Sequence, residues 1–379
     1  MGNEPGEAGR AAPRAGQVCS RARCRLETLR PGHSHPSARR RPKRSMDFGE
    51  QFESSFRRRV GAVVAQRGTP AASMPAVHPR VGLPRRVQIY EVGPRDGLQA
   101  EQTIIPLEVK LALIDRLGDA GLQAIEATSF TSPRRIPQLA DADQLLAALK
   151  RRPGVRYPVL VPNLRGLDRA QAVGADEIAV FVSATERFAQ ENLGTTLNGA
   201  LEMAAPVISR ATADGLGVRG YVSMCFGDPW EGQVDPRQSA QVAARLVEFG
   251  CATISLGDTI GVATPGQVGA VIDAVEAAGV ARNRVALHLH DTYGQALANV
   301  LAGLEAGITE FDSSAGGVGG CPYARSATGN LATEDLVWML EGLGIPTGID
   351  LAGLVRTSGW LAEELGRPAP SRVVAALTS

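Results

Sequence analysis

The chain has 379 residues, of which 44% are hydrophobic, and a formal net charge of +1. That balance supports a sizeable core and gives no reason to expect a nucleic-acid or membrane partner. No run of about 18 apolar residues occurs, and the five cysteines, at 19, 24, 225, 251 and 321, form neither a CxxC pair nor an even disulfide framework, which fits a reducing compartment.

Residues 1–80 stand apart from the rest. They are rich in Arg, Pro, Gly and Ser, lack hydrophobic period, and include Arg39-Arg40-Arg41-Pro42-Lys43-Arg44. The composition is that of a disordered tail, or of translated sequence ahead of a later start at Met46 or Met74. An organelle transit peptide would make the protein mitochondrial, but Glu4 and Glu7 at the front weigh against it, as does the lack of a clear amphipathic helix. A basic nucleic-acid arm is the weakest of the three readings. A cytoplasmic location is the expectation, and residues 49–66 have enough period for a short helix.

From residue 86 onward, short β-branched runs alternate with longer Ala- and Leu-rich amphipathic runs. Val87–Val92 predicts a first strand, followed by a helix near 106–121; Ala124–Glu126 a second, then a helix near 139–151. Tyr157–Val161 and Glu177–Val182 follow, with helices near 165–173 and 197–215. Val218–Met224 and Thr253–Leu256 come next, with helices near 236–249 and after Pro265. Val285–Leu289 and Thr309–Asp312 complete the set, with helices near 293–306 and 333–343. Gly121, Gly174, Gly215, Gly250, Gly279 and Gly307 each sit just past an apolar run, where a helix ends.

Eight strand–helix units over residues 81–349 predict an α/β fold, a closed (β/α)8 TIM barrel, which needs roughly 250 residues. A doubly wound open sheet would alternate in the same way, but no GxGxxG turn follows the first strand. Residues 350–379 remain as a C-terminal helical extension, with a helix near 350–365.

In such a barrel the reactive groups gather at the C-terminal ends of the strands. Strand one ends in Arg95-Asp96, strand two at Glu126 with Ser129 behind it, strand six in Ser255-Leu256-Gly257-Asp258, and strand seven in His288-Leu289-His290-Asp291. A glycine-rich segment, Gly316-Gly317-Val318-Gly319-Gly320-Cys321, follows strand eight, with Asn330 beyond it. Of the five histidines only His288 and His290 lie beyond residue 80. Residues i and i+2 of a strand share a face, so two imidazoles reach one cation from adjacent pleats. An isolated HxH is more often structural. At a barrel strand end, with Asp96 as the natural carboxylate partner and Asn330 able to add an amide oxygen, it predicts a divalent metal site. Arg95 is either half of a surface ion pair or, beside a metal, a fixed donor to a developing oxyanion. Most free cysteines are inert and buried, as Cys225 and Cys251 read. Cys321 is either another inert thiol or, on a glycine loop facing a cationic site, an acid or base.

Several of these segments together resemble the hydroxymethylglutaryl-CoA lyase family. They are Glu91-Val92-Gly93-Pro94-Arg95-Asp96-Gly97-Leu98-Gln99, Ser255-Leu256-Gly257-Asp258-Thr259-Ile260-Gly261, His288-Leu289-His290-Asp291-Thr292-Tyr293-Gly294-Gln295-Ala296, Gly316-Gly317-Val318-Gly319-Gly320-Cys321-Pro322-Tyr323-Ala324 and Asn330-Leu331-Ala332-Thr333-Glu334-Asp335. The resemblance spans about residues 86–374. It implies cleavage of 3-hydroxy-3-methylglutaryl-CoA to acetyl-CoA and acetoacetate. It further implies that Asp96, His288, His290 and Asn330 hold magnesium or manganese, and that Arg95 stabilises the enolate of the departing acetyl-CoA. Glu126 and Asp258 are implied as further acidic site residues, and Cys321 as the loop thiol in proton transfer. Ser129, Ser255, Gly319 and Gly320 are implied at the acyl-CoA substrate, and a homodimer is expected. The tail Gly366-Arg367-Pro368 lacks the Asn and Lys that some relatives place near the CoA. A related hydroxyacyl-CoA lyase or a Claisen-type synthase of the same barrel group is the enzymatic alternative. A non-catalytic metal-binding scaffold is disfavoured, because metal binding alone needs none of Arg95, Glu126, Asp258 and Cys321.

Overall fold

The computed structural model describes residues 74–320 and 329–379. Strands and helices alternate in the predicted order: β1 (Gln88–Glu91), α1 (Leu107–Asp119), β2 (Thr128–Ser129), α2 (Ala142–Ala148), β3 (Val159–Leu160), α3 (Leu164–Ala172), β4 (Glu177–Ser183) and α4 (Leu197–Ala213). The second half continues with β5 (Gly217–Ser223), α5 (Pro236–Phe249), β6 (Thr253–Asp258), α6 (Pro265–Ala277), β7 (Val285–Leu289), α7 (Ala296–Glu305), β8 (Glu310–Ser313) and α8 (Thr333–Gly342). All strand pairs are parallel, and β1 lies beside β8, from which the sheet runs back through β7 to β2. Residues just ahead of β2 close the remaining seam: Glu91 N donates to Ala124 O at 2.9 Å and Glu126 N to Glu91 O at 2.8 Å. The ring is a TIM-type barrel, as the eight repeated units predict.

Sequence and structure part at the second and third strands. Ala124 and Ile125 do pair, with Arg156 and Glu91 respectively, but the regular ladder with β3 runs over Thr128–Ser129. In a sheared barrel the two neighbours of a strand are engaged at different levels. Ser129 therefore sits on the strand end rather than behind it. The third strand shortens to two residues because Pro158 and Pro162 bracket it and have no amide to donate.

Helix starts follow local chemistry. Asp235 accepts from Arg237 N at 2.9 Å ahead of Pro236 at the first position of α5. Thr264 and Gln267 form a capping box at α6. The six helix-end glycines all have positive φ. Between the strands and the helices lies one core cluster that includes Leu113, Leu117, Ile208, Leu246, Ile272 and Val300. Each such buried side chain contributes about 1.5–3 kcal/mol relative to exposure. Cys225 and Cys251 are fully buried in it, as expected.

The C-terminal extension packs onto the barrel as α9 (Leu351–Leu365) and α10 (Arg372–Thr378). Trp360 on α9 lies under the Arg116 guanidinium of α1, 4.4 Å from ring centre to carbon. The sequence did not predict α10; Ser371 starts it by accepting from Val374 N at 3.1 Å and donates to Asp335 at 2.7 Å. Residues 74–80 were expected to belong to the tail, yet they lie along the end of α8. His78 N donates to Gly342 O at 2.8 Å, and Arg80 pairs with Glu305. The rest of the expected tail, with its helix at 49–66, lies outside the described residues. Among the described residues no helix is long and apolar enough to cross a membrane.

Gly121 ends α1 at φ 99°, and a Cβ there would stand 2.7 Å from the Gly348 carbonyl oxygen. Gly121→Ala is expected to lower stability by about 2 kcal/mol. Gly269→Ala, in α6 with open space around its Cβ, is expected to raise it by up to about 1 kcal/mol. Urea unfolding of the two variants checks the opposite signs.

Candidate active site

The chain leaves β1 through a tight turn, Gly93–Gly97, in which the amides of Arg95, Asp96 and Gly97 all point to the Val92 carbonyl at 2.8–3.2 Å. This winding turns two consecutive side chains onto the barrel mouth. Arg95 donates from Nε to Glu126 at 2.7 Å and from Nη1 to Asp96 at 2.6 Å, and its guanidinium lies 5.3 Å from the Tyr221 ring centre. Burial disfavours the charged guanidinium, but Glu126 and Asp96 outweigh it and hold the proton more firmly than usual. Burial likewise pushes the Asp96 carboxyl up, but Arg95, His288 and His290 outweigh it and bring it down to about 2. Glu126 shows the reverse balance: burial raises its pKa and Arg95 offsets only part.

β7 presents His288 and, just past its end, His290, with their Nε2 atoms 3.2 Å apart. The β7–β8 register sets Asp312 beside His288, and its carboxylate takes the His288 Nδ1 at 3.2 Å. That contact favours the tautomer with Nε2 aimed at the barrel mouth. Asp312 in turn accepts from Ser255 Oγ at 2.8 Å and pairs with Arg219, which also pairs with Glu310. Arg219 lies within the barrel between the rings of Tyr90 and Tyr221, at 4.2 and 5.2 Å.

The chain after the glycine segment returns to β7: Leu331 N donates to Leu289 O at 2.9 Å, which places Asn330 opposite His290. Asn330 Nδ2 donates to Asp96 Oδ2 at 2.9 Å, while Oδ1 has no hydrogen-bond partner among the described residues. Only glycine fits at 319, because a Cβ there would stand 2.5 Å from Asn330 Nδ2.

Asp96, His288 and His290 each offer one ligand atom, all within 4.8 Å of one another. Three observations fit a divalent cation at this point. The Asp312 contact at His288 Nδ1 favours the tautomer whose Nε2 carries a lone pair toward the cluster, where it can serve a cation. Asn330 Oδ1 is an amide oxygen lacking a donor. In the connected network four acidic side chains, Asp96, Glu126, Glu310 and Asp312, face two guanidiniums, Arg95 and Arg219, so acidic groups outnumber basic ones. The cluster opens into a cavity of about 930 Å³ whose wall includes Arg95, Asp96, Tyr221, His288, His290, Gly319 and Gly320.

The HMGL-like family model matches residues 86–360. The chain belongs to the HMGL-like family. It is 47% identical over 322 residues to the mitochondrial hydroxymethylglutaryl-CoA lyase of Mus musculus, covering 85% of this chain and 97% of that one. It is 49% identical over 291 residues to the cytoplasmic 3-hydroxy-3-methylglutaryl-CoA lyase of Danio rerio, covering 77% and 87%. The solved hydroxymethylglutaryl-CoA lyase of Pseudomonas aeruginosa superposes with a TM-score of 0.77 at 47% identity, over 79% of this chain and 99% of that one.

Within this family fold the other expected site residues are placed as follows. Asp258 ends β6, where its two oxygens accept from Val262 N and Ala263 N at 2.9 and 3.0 Å, and burial pushes its carboxyl up to about 6. It shapes the loop after β6, whose Thr259 reaches the cavity wall. Ser129 Oγ lies 2.8 Å from Thr131 Oγ1, and Thr131 rather than Ser129 lines the cavity. Ser255 is buried beneath, bonded to Asp312. Cys321 lies outside the described residues. Asp312 and Tyr221 were missed. Asp312 ends the expected eighth strand, so the strand-end rule that selected Asp258 also reaches it. Tyr221 reads as an ordinary strand aromatic, yet its hydroxyl donates to Glu126 at 3.2 Å.

Two buried carboxylates hold the start of the glycine segment. Glu91 accepts from Gly93 N, Ala315 N and Thr333 Oγ1 at 2.7–2.9 Å. Glu334 accepts from Gly316 N at 2.9 Å and from Ser358. Burial raises Glu91 to about 7 and Glu334 to about 8, against partial opposition from these donors. A raised carboxyl pKa favours the fold fully below the ordinary value of 4.5, and that contribution is lost as pH rises through about 8. Relative to Glu334→Gln, the native protein is therefore expected to lose on the order of a few kcal/mol of stability between pH 5 and 8. Parallel stability curves for the two proteins would show that Glu334 is not the titrating group.

Proposed function

We propose that the protein cleaves 3-hydroxy-3-methylglutaryl-CoA to acetyl-CoA and acetoacetate by a metal-assisted retro-Claisen reaction. The observation that carries this reading is the meeting of Asp96, His288 and His290 with Arg95 in one cavity of a chain 47% identical to a lyase named for that substrate. A solved relative, 36% identical, is an HMG-CoA lyase in complex with coenzyme A and 3-methylmalate.

Magnesium or manganese held by Asp96, His288, His290 and the Asn330 amide oxygen supplies, when bound, a lowered pKa at the substrate's tertiary hydroxyl. His288 is kept ready for that role by Asp312, which holds its far nitrogen. As the hydroxyl proton is released to solvent in the open cavity, its oxygen becomes the ketone of acetoacetate and the carbon–carbon bond breaks, leaving the electron pair on the departing acetyl-CoA as an enolate. Arg95 answers that charge: Nε and Nη1 are engaged by Glu126 and Asp96, which fixes the plane of the guanidinium and leaves Nη2 for the enolate oxygen. A donor already in place costs no reorganisation as the charge develops. Glu126, braced by the Tyr221 hydroxyl, acts as the holder of Arg95. Asp258 acts by setting the loop that carries Thr259. The Cys321 thiol supplies the proton that converts the enolate carbon to the methyl group of acetyl-CoA. Gly319 and Gly320 form the wall against the thioester, and Ser129 and Ser255 act through Thr131 and Asp312.

Protein stripped of divalent ions with a chelator is expected to release no acetoacetate and to recover on addition of magnesium or manganese; full turnover in chelator would sink the metal role. Arg95→Gln is expected to lower kcat by about 100-fold or more with a smaller change in KM. Near-native kcat in that variant, measured by acetoacetate release, would refute the enolate contact.

A further inference from the structure

Among the described residues the wall of the 930 Å³ cavity carries two guanidiniums, Arg95 and Arg135. They differ in every respect that governs ligand binding. Arg95 is 6% exposed and doubly paired with carboxylates. Arg135 is exposed at the rim, and its one described side-chain bond runs from Nη1 to the Asn192 carbonyl at 3.1 Å. Glu191, the acidic residue on that part of the wall, is paired with Arg187 at 2.9 Å. Arg135 thus retains most of its donors and has no carboxylate partner among the described residues.

The segment beneath it is braced. Arg135 N and Ile136 N both donate to Ser132 O, at 2.8 and 3.1 Å, and Pro133 and Pro137 restrict the backbone on either side. Gln138 Nε2 ties the segment to the Glu101 carbonyl at 2.7 Å. A cation is therefore presented at a set place on the rim.

We infer that Arg135 binds a phosphate of the nucleotide end of the acyl-CoA and so sets substrate affinity; this rests on the lyase reading above. The reacting acyl group must reach Arg95, Asp96 and His290 on the cavity floor, where exposure falls to 3% at His290. The remainder of the thioester then leads outward, and the charges it carries at the rim are phosphates. A planar guanidinium with unengaged donors matches a phosphate in two-point geometry.

The test compares two thioesters of the same acyl group: one on CoA and one on pantetheine, which lacks the nucleotide and its phosphates. Arg135→Gln is expected to raise KM for the CoA thioester about tenfold, to change kcat less than twofold, and to leave KM for the pantetheine thioester at the native value. Arg134→Gln, an exposed neighbour outside the cavity wall, is expected to match the native protein with both. An equal loss on both thioesters, no loss on the CoA thioester, or an equal effect of Arg134→Gln would each overturn the assignment. Calorimetric titration with CoA and with pantetheine requires no turnover. It separates the two readings, since a native preference for CoA that Arg135→Gln removes upholds the phosphate contact even if neither thioester is cleaved. No such preference in the native protein refutes the contact whatever the kinetics show.

Discussion

The buried guanidinium of Arg219 is the contact on which the floor of the site depends. A cation inside a barrel is costly to desolvate and persists only when it is paired and hydrogen bonded. Here the pairing comes from one strand: Glu310 and Asp312 lie two residues apart on β8 and so share its inner face. The rings of Tyr90 and Tyr221 pack against the guanidinium, their centres 4.2 and 5.2 Å from its carbon. With Arg219 in place, Asp312 is held beside His288, and the His288 ring has one favoured orientation. Loss of Arg219 would leave Glu310 and Asp312 without their buried partner beneath His288, so the same residue that makes the interior polar also fixes the His288 geometry.

The first and last strands meet in this barrel, and the site exploits that meeting. β1 delivers Arg95 and Asp96, and its own Glu91 reaches across to the amide of Ala315 on the segment after β8. The glycine segment is thus tied at its root to the strand that leads into Arg95 and Asp96. Asn330 returns to Asp96 from the far side of the same segment. The C-terminal helices complete the clamp, because Ser358 on α9 bonds Glu334 and Ser371 N donates to Gly316 O at 3.1 Å. Residues that read as an appended extension therefore brace the loop that borders the cavity.

Much of this was legible in the sequence, for a physical reason. Strand and helix periods differ, so eight alternations mark a barrel without any contact being known. A barrel in turn places strand-end residues on one rim, which brought Arg95, Asp96, Glu126, His288 and His290 together before any coordinates. What period alone does not encode is the partner on a neighbouring strand. Asp312 matters because the β7–β8 register sets it beside His288, and Tyr221 because its hydroxyl crosses the barrel to Glu126. Ser129 and Ser255 occupy strand ends as expected, yet both spend their hydroxyls on neighbouring side chains. A strand-end position fixes the rim a residue belongs to, while burial decides whether it faces the cavity or supports what does.

The floor and the rim answer to different demands. In the proposed reaction Arg95 faces the atoms whose charge changes during cleavage, so its contact strengthens as the reaction proceeds and contributes to rate. A contact at the rim, remote from those atoms, is the same in ground and transition states and contributes to binding alone. The structure builds the two accordingly. Floor charges are buried, interlocked across four strands and intolerant of movement. The rim cation is solvent-exposed and stands on a short proline-flanked turn that touches the barrel through Gln138. Substitutions at the rim can therefore retune affinity without disturbing the network that orients His288.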